Sequence, residues 1–239
     1  MGRASWSRSI ARQSGGLALA AGLVLLSCWI NARLAARDLK TGRGTELMYF
    51  PSGVLLRPMA LGHPLTLADL LWLRAIQYYG EHRLSDNRFP YAKHIFSTIT
   101  ALDPHFAEAY MFGGMVLVEE GRDIPSGLAL LRRGMAWNPE RWELAFETGF
   151  AYYLAARDDA QAARFFAAAG RLPGAPEYVV RFAAYAGGRA GNQKQALELW
   201  EQLRTESRSP TIRALAERKV KEIRAALGAP RRGRGSRTD

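Results

Sequence analysis

Three prolines constrain this 239-residue chain more than any other feature. Pro104, Pro139 and Pro173 each close an apolar-periodic segment, in the runs ALDP, AWNP and RLPGAP, and they stand 35 and 34 residues apart. A further segment ends near Pro210. Proline lacks a backbone N–H and clashes with the preceding turn, so it ends helices. A period near 34 with helical patterning leaves room for two helices and two turns per unit. Sustained alternation of polar and apolar residues is missing, and Ala, Leu, Glu and Arg dominate the stretch from Thr66 to Leu227. The expected fold class is therefore all-α.

The residues inside each period agree with one another. In the first unit, 71–104, Gly80 stands at the small position of the first helix and Ala92, Phe96 and Pro104 follow. The second, 107–141, offers Tyr110, Gly114, Leu117, Gly127, Leu131, Gly134 and Pro139, with one extra residue assigned to the turn between Gly121 and Pro125. The third, 142–175, carries Gly149, Tyr152, Ala162, Phe166 and Ala169, its second helix slipped by one residue. The fourth, 177–210, carries Gly191-Asn192 at the turn and Ala196, Trp200 and Leu203 beyond it, with Gly187 where an aromatic is expected.

This pattern resembles the tetratricopeptide repeat, a helix-turn-helix unit with small residues where the two helices cross. The resemblance covers about 140 residues and implies a solenoid of about four helix pairs. A helix over 211–227, with Ile212, Leu215, Val220, Ile223 and Leu227 on one side, is expected to cap the open end. Residues 66–210 form the repeat array, with a start signal in Thr66 and Asp69, and residues 33–65 are read as a linker and N-terminal cap. The stretch from Leu47 to Leu61 is too apolar for a free linker and is expected to pack along the first helices.

Ahead of the repeats, residues 13–32 contain no charge, and Gly15 to Ile30 are almost wholly apolar. Twenty residues of helix span about 30 Å, the thickness of the hydrocarbon layer of a bilayer. Trp29 stands where an indole suits the headgroup boundary. The expectation is one transmembrane anchor over 13–32 behind a basic N-terminus, 1–12, with the short N-terminus inside. Two alternatives stay open. Leu25-Leu26-Ser27-Cys28 resembles a bacterial lipoprotein signal lipidated at Cys28, and a cleaved secretory signal is the other. The anchor resembles those of bacterial envelope proteins, which implies the inner membrane with the repeats in the periplasm.

Net charge is +11, which on its face suggests a nucleic-acid binder. The excess is not on the repeats. Residues 1–43 hold seven basic and one acidic group, and residues 228–239 hold four and one. The repeat body keeps +2. The tail 228–239 is expected to be disordered. Binding of nucleic acid or anionic lipid through its arginines is the alternative function, but four arginines make at most about four phosphate contacts. Nucleic acid is therefore not an expected partner.

No catalytic motif stands out: there is no G-x-S-x-G, no phosphate-cradling glycine loop and no H-E-x-x-H. One cysteine excludes an internal disulfide and a cysteine-rich zinc site. His82 and His94 lie near Glu81, Asp86 and Asp103, at a spacing that fits no ligand set. Glu119-Glu120 and Asp158-Asp159 read as solvated helix ends. No enzyme activity, cofactor or metal is expected.

What remains is a surface for binding. The resemblance implies that the second, fifth, ninth and twelfth residues of each unit face a groove. These are Gln77 and Glu81; Glu108, Met111, Met115 and Val118; Glu143, Phe146, Phe150 and Tyr153; and Tyr178, Arg181 and Tyr185. Met111, Met115, Phe146, Phe150, Tyr153, Arg181 and Tyr185 are the candidate partner-binding residues, suited by size and adaptability to a helix or extended peptide. The competing reading is that this aromatic stripe is core. Gln77, Glu81, Phe112, Glu143 and Glu147 replace the basic and amide residues with which family members clamp a chaperone's terminal carboxylate, so that ligand is not expected. The function implied is a membrane-anchored scaffold that docks a protein partner in assembling or localising an envelope complex.

Overall fold

The structure is a computed structural model and describes Gly22, residues 25–29, Arg33 and residues 53–228. Two units separate, 1–50 and 51–239. In the first, Gly22, residues 25–29 and Arg33 are helical, and the Arg33 guanidinium lies 4.8 Å from the centre of the Trp29 ring. The anchor expected over 13–32 falls largely outside the described residues. Among the described residues no helix is long and apolar enough to cross a membrane. The tail from 229 onward also lies outside them.

The second unit is helical throughout its described residues. The order is α1 (Gly53–Met59), α2 (Pro64–Arg83), α3 (Ala92–Leu102), α4 (Ala107–Met115), α5 (Ile124–Trp137), α6 (Trp142–Ala151), α7 (Asp159–Gly170), α8 (Glu177–Arg189), α9 (Gln193–Glu206) and α10 (Pro210–Gly228). Each helix packs chiefly on its neighbours in sequence, and α4 also packs on α6. This is the contact pattern of a stacked helical repeat, in which no pair buries its apolar face alone. The fold is a tetratricopeptide-like all-α array, with α2, α4, α6 and α8 as first helices and α3, α5, α7 and α9 as second helices.

Glycines set the closeness of the crossings. A Cβ at Gly127 would stand 2.4 Å from a Val118 methyl and 3.1 Å from the Gly114 carbonyl oxygen, so α4 and α5 meet almost backbone to backbone. Gly149 in α6 similarly faces the Phe166 ring of α7, at 2.7 Å. The first unit differs from the sequence expectation. A Cβ at Gly80 would meet nothing within 4 Å, and the small buried residues of α2 are Ala68 and Ala75. The eight residues 84–91 separate α2 from α3, longer than the later turns, so spacing back from Ala92 points to the wrong residue.

The one-residue slips of the second and third units have one cause. α4 runs into a π-helical turn at Val116–Glu120 and α6 into another at Tyr152–Ala156. A π turn accommodates one additional residue in a helix. From Gly114 the matching positions of the second helix are Gly127, Leu131 and Gly134; from Gly149 they are Ala162, Phe166 and Ala169, at the same offsets. In the fourth unit Ala196, Trp200 and Leu203 follow Ala184 one residue sooner, and α8 has no π turn. The extra residue of the second unit is thus inside the first helix, not in the turn from Gly121 to Pro125. Both bulged helices stop in the same way, with Arg122 and Arg157 in left-handed backbone (φ 52° and 56°).

Three of the four second helices, α5, α7 and α9, start on side-chain caps at the same phase. Asp123 accepts from the Ser126 N–H, Asp158 from the Gln161 N–H at 2.9 Å, and Asn192 from the Gln195 N–H. Each satisfies a donor that the first turn leaves free. Of the acidic pair read as solvated helix ends, Asp158 is a cap, and Asp159 pairs with Arg189 at 3.0 Å. The array closes at α10, which buries Ala216 and Val220 against Trp200 and Leu203, with Ile212, Leu215 and Ile223 around them; Leu227 stays exposed. At the other end α2 begins at Pro64, two residues before Thr66, because proline suits the first helical position. α1 packs on α3, where a Cβ at Gly53 would touch Ala101.

Candidate functional site

α4, α6 and α8, the first helices of three successive units, carry the candidate residues, and Phe146, Phe150, Tyr153 and Phe182 lie partly buried against the core formed by Ala162, Phe166 and Ala183. The centre of this group is an aromatic layer. Phe146 and Phe150 stand one turn apart on α6 with rings stacked at 5.9 Å, and both meet Phe182 of α8 edge-on, at 5.5 and 6.0 Å. Phe146 also meets Tyr178 at 5.5 Å and the fully buried Phe166 of α7 at 5.3 Å. It is therefore shared between core and surface. Offset and edge-on aromatic pairs of this kind hold two helices at fixed separation.

Beside this layer is a narrow cleft where α4 meets α6. Met115, Glu119, Glu147 and Phe150 line it, over Gly114 and Leu131. Glu147 is half-buried and has no hydrogen-bond or ion-pair partner among the described residues. Burial, and after it the nearby Glu119 carboxylate, pushes its carboxyl above the usual glutamate range. Glu108 and Glu143, by contrast, both bond the Arg141 guanidinium, at 2.9 and 3.3 Å. The first of these links the starts of α4 and α6, so Arg141 staples two units together.

The candidate residues divide accordingly. Met115 and Phe150 share the cleft, while Phe146, Phe150 and Tyr153 join the aromatic layer. The Tyr153 hydroxyl accepts from Arg189 at 3.0 Å, and the guanidinium lies over its ring. Met111 and Arg181 are half-buried, and Tyr185 is exposed with its ring edge-on to Trp200 at 4.9 Å. Tyr178 is exposed; Gln77 and Glu81 are exposed on α2 near Arg74. Val118 lines the floor of the same cleft. It is 5% exposed and packs on Gly127, because the π turn brings it into the crossing.

Sequence reasoning missed Phe182 and left Glu147 out of the candidate set. Phe182, which touches Phe146, Phe150, Tyr153 and Phe166, follows the groove position Arg181 by one residue, and nothing in its spacing singles it out. Glu147 stands at a position where family members clamp a terminal carboxylate but is not among the candidate partner-binding residues, although its place between Phe146 and Phe150 across one helical turn is a signal that it shares their face.

The histidine region carries no comparable arrangement. His82 Nδ1 lies 2.7 Å from the Asp86 carboxylate, with its ring beside Tyr78 and Phe89, and His94 is exposed on α3. Among the described residues no three His, Cys, Asp or Glu side chains group as metal ligands would.

No protein-family model and no curated protein matches the chain. A search of solved structures finds one titled "MamA RS-1 ArsTM double mutant", 18% identical, covering 83% of this chain and 95% of that one, with a TM-score of 0.44. At that score it adds no detail to the repeat architecture described above.

Proposed function

We infer that this chain is a scaffold that docks a protein partner on α4, α6 and α8. One observation carries the reading: a half-buried carboxylate, Glu147, stands without a partner between Met115 and Phe150. Leaving a carboxylate partly desolvated and unpaired costs stability, and such a cost is common where a ligand later supplies the missing partner. The segment that fits combines apolar side chains, for the methionine and aromatic contacts, with a basic one for Glu147 and Glu119. A helix or extended peptide of that kind meets both demands.

The scaffold is held at a membrane by residues 13–32, whose uncharged length matches the bilayer core. The Trp29–Arg33 contact suits a headgroup boundary. Placement in the bacterial inner membrane with the repeats in the periplasm rests on the likeness of this anchor to those of envelope proteins, and lipidation at Cys28 is the variant of the same attachment. The test is affinity capture from crosslinked, solubilised membranes, comparing wild type with Met115→Glu. Wild type should retain a discrete partner that the variant loses. An identical set of retained proteins for the two would refute docking at this cleft.

A further inference from the structure

α2 is apolar on two sides. One side packs Ala68, Trp72, Ala75 and Tyr78 into the array, Trp72 against Phe96, Phe106 and Phe112. The other exposes Leu65, Leu70 and Leu73, at 58%, 58% and 61%. Asp69, exposed between Leu65 and Leu70, is the one acidic residue of that stretch. The exposure continues into α1 and the turn after it, where Leu55 and Met59 of α1 are 62% and 66% exposed and Leu61 of the turn is 86% exposed. Leu61 projects furthest, from left-handed backbone at φ 47° that a leucine adopts only at a cost. From Gly53 to Ala68 there is no acidic residue, while Arg57 and His63 lie among the apolar side chains.

We propose that α1, the turn after it and the start of α2 make a membrane-surface contact: Leu55, Met59, Leu61 and Leu65 enter the headgroup boundary of an anionic bilayer. Three facts select a bilayer over a protein. The exposed side chains are spread over α1, the turn after it and the start of α2, and separate apolar projections insert into fluid acyl chains without a complementary pocket. The charge is complementary, because Arg57 follows Arg33, Arg37, Lys40 and Arg43 in the chain, and a basic run beside a membrane segment is attracted to anionic headgroups. The tether is short: 20 residues separate residue 32 from Gly53, a span of at most about 70 Å. The proposal rests on the anchoring reading given above, and with it the repeat array is held against the membrane at its N-terminal end.

The test uses the full chain with Cys28→Ser, labelled through Leu61→Cys with an environment-sensitive fluorophore, in vesicles of phosphatidylcholine and phosphatidylglycerol. A matched label through Leu227→Cys, exposed on α10, is the control. Expected is a blue-shifted emission from the Leu61 position, quenched by lipids spin-labelled near the headgroup, with neither effect at the Leu227 position. Equal accessibility of both labels to aqueous iodide would overturn the proposal. So would a shift that persists in detergent and grows with protein concentration, since the occupant would then be a second copy. Alkaline carbonate extraction reads the anchor separately: extraction after lipid quenching has been seen removes the anchor but keeps the contact, whereas resistance without quenching removes the contact alone.

Discussion

Gly127 and Gly80 look alike in sequence, each a glycine in an amphipathic helix, and their surroundings predict opposite effects of one methyl group. At Gly127 an added Cβ would collide with Val118 and crowd the Gly114 carbonyl, so α4 and α5 must separate. Gly127→Ala should cost about 1–3 kcal/mol in urea denaturation. At Gly80 the space is open and the backbone helical, so Gly80→Ala should stabilise by up to about 1 kcal/mol. Glu147 gives a second test. Its carboxyl is raised above the ordinary value, so the folded state holds the proton more tightly than the unfolded state. That stabilisation is complete below the ordinary glutamate pKa of about 4.3 and is lost as pH rises through the raised value. Glu147→Gln should therefore melt above wild type at neutral pH, with the advantage shrinking toward acid; a constant difference across pH would show that the carboxyl does not titrate as described.

At the scale of helices, the all-α class and the pairing into units were legible because proline spacing and apolar periodicity report the same elements independently. The π turns were visible only as one-residue slips. Sequence cannot tell a residue added to a loop from one added to a helix, since both shift the later pattern equally; the Gly127 crossing decides it. Gly80 was misread for a related reason, as the 84–91 connection lengthened without disturbing the count from Ala92. The caps at Asp123, Asp158 and Asn192 are spaced like the prolines and could have been read as a second periodic mark. Both bulged helices end on an arginine in left-handed backbone, a conformation that costs an L-residue about 1–2 kcal/mol. Glycine adopts it freely, at some loss of chain entropy. Arg157→Gly should thus be neutral or stabilising, whereas Asp158→Ala, one residue on, should cost about 1 kcal/mol through loss of the cap. Thermal melts of the two variants read both.

Across the whole molecule, the proposed attachment draws on charge and the proposed binding on shape. The net charge of +11 gathers at the two ends of the chain, and the repeat body between them is nearly neutral. In the proposed function, recognition falls to the aromatic layer and to Glu147 and Glu119 beside it. The candidate surface was only partly legible. Residue phase put Met115 on α4 and Phe150 on α6, where both line one cleft, but the depth of Phe146, the centrality of Phe182 and the isolation of Glu147 depend on how α6 and α8 approach, which no local pattern encodes. The burial of Val118 follows from the bulge, again a tertiary fact. The measurement that tests the account most directly is site-specific photo-crosslinking in intact cells. A photo-reactive residue at Met115 is compared with one at Ala129, exposed on the second helix α5. The account predicts one discrete crosslinked partner from Met115, contacted through a segment that includes a basic residue, and none from Ala129. Equal crosslinking from both positions, or none from Met115, would contradict it.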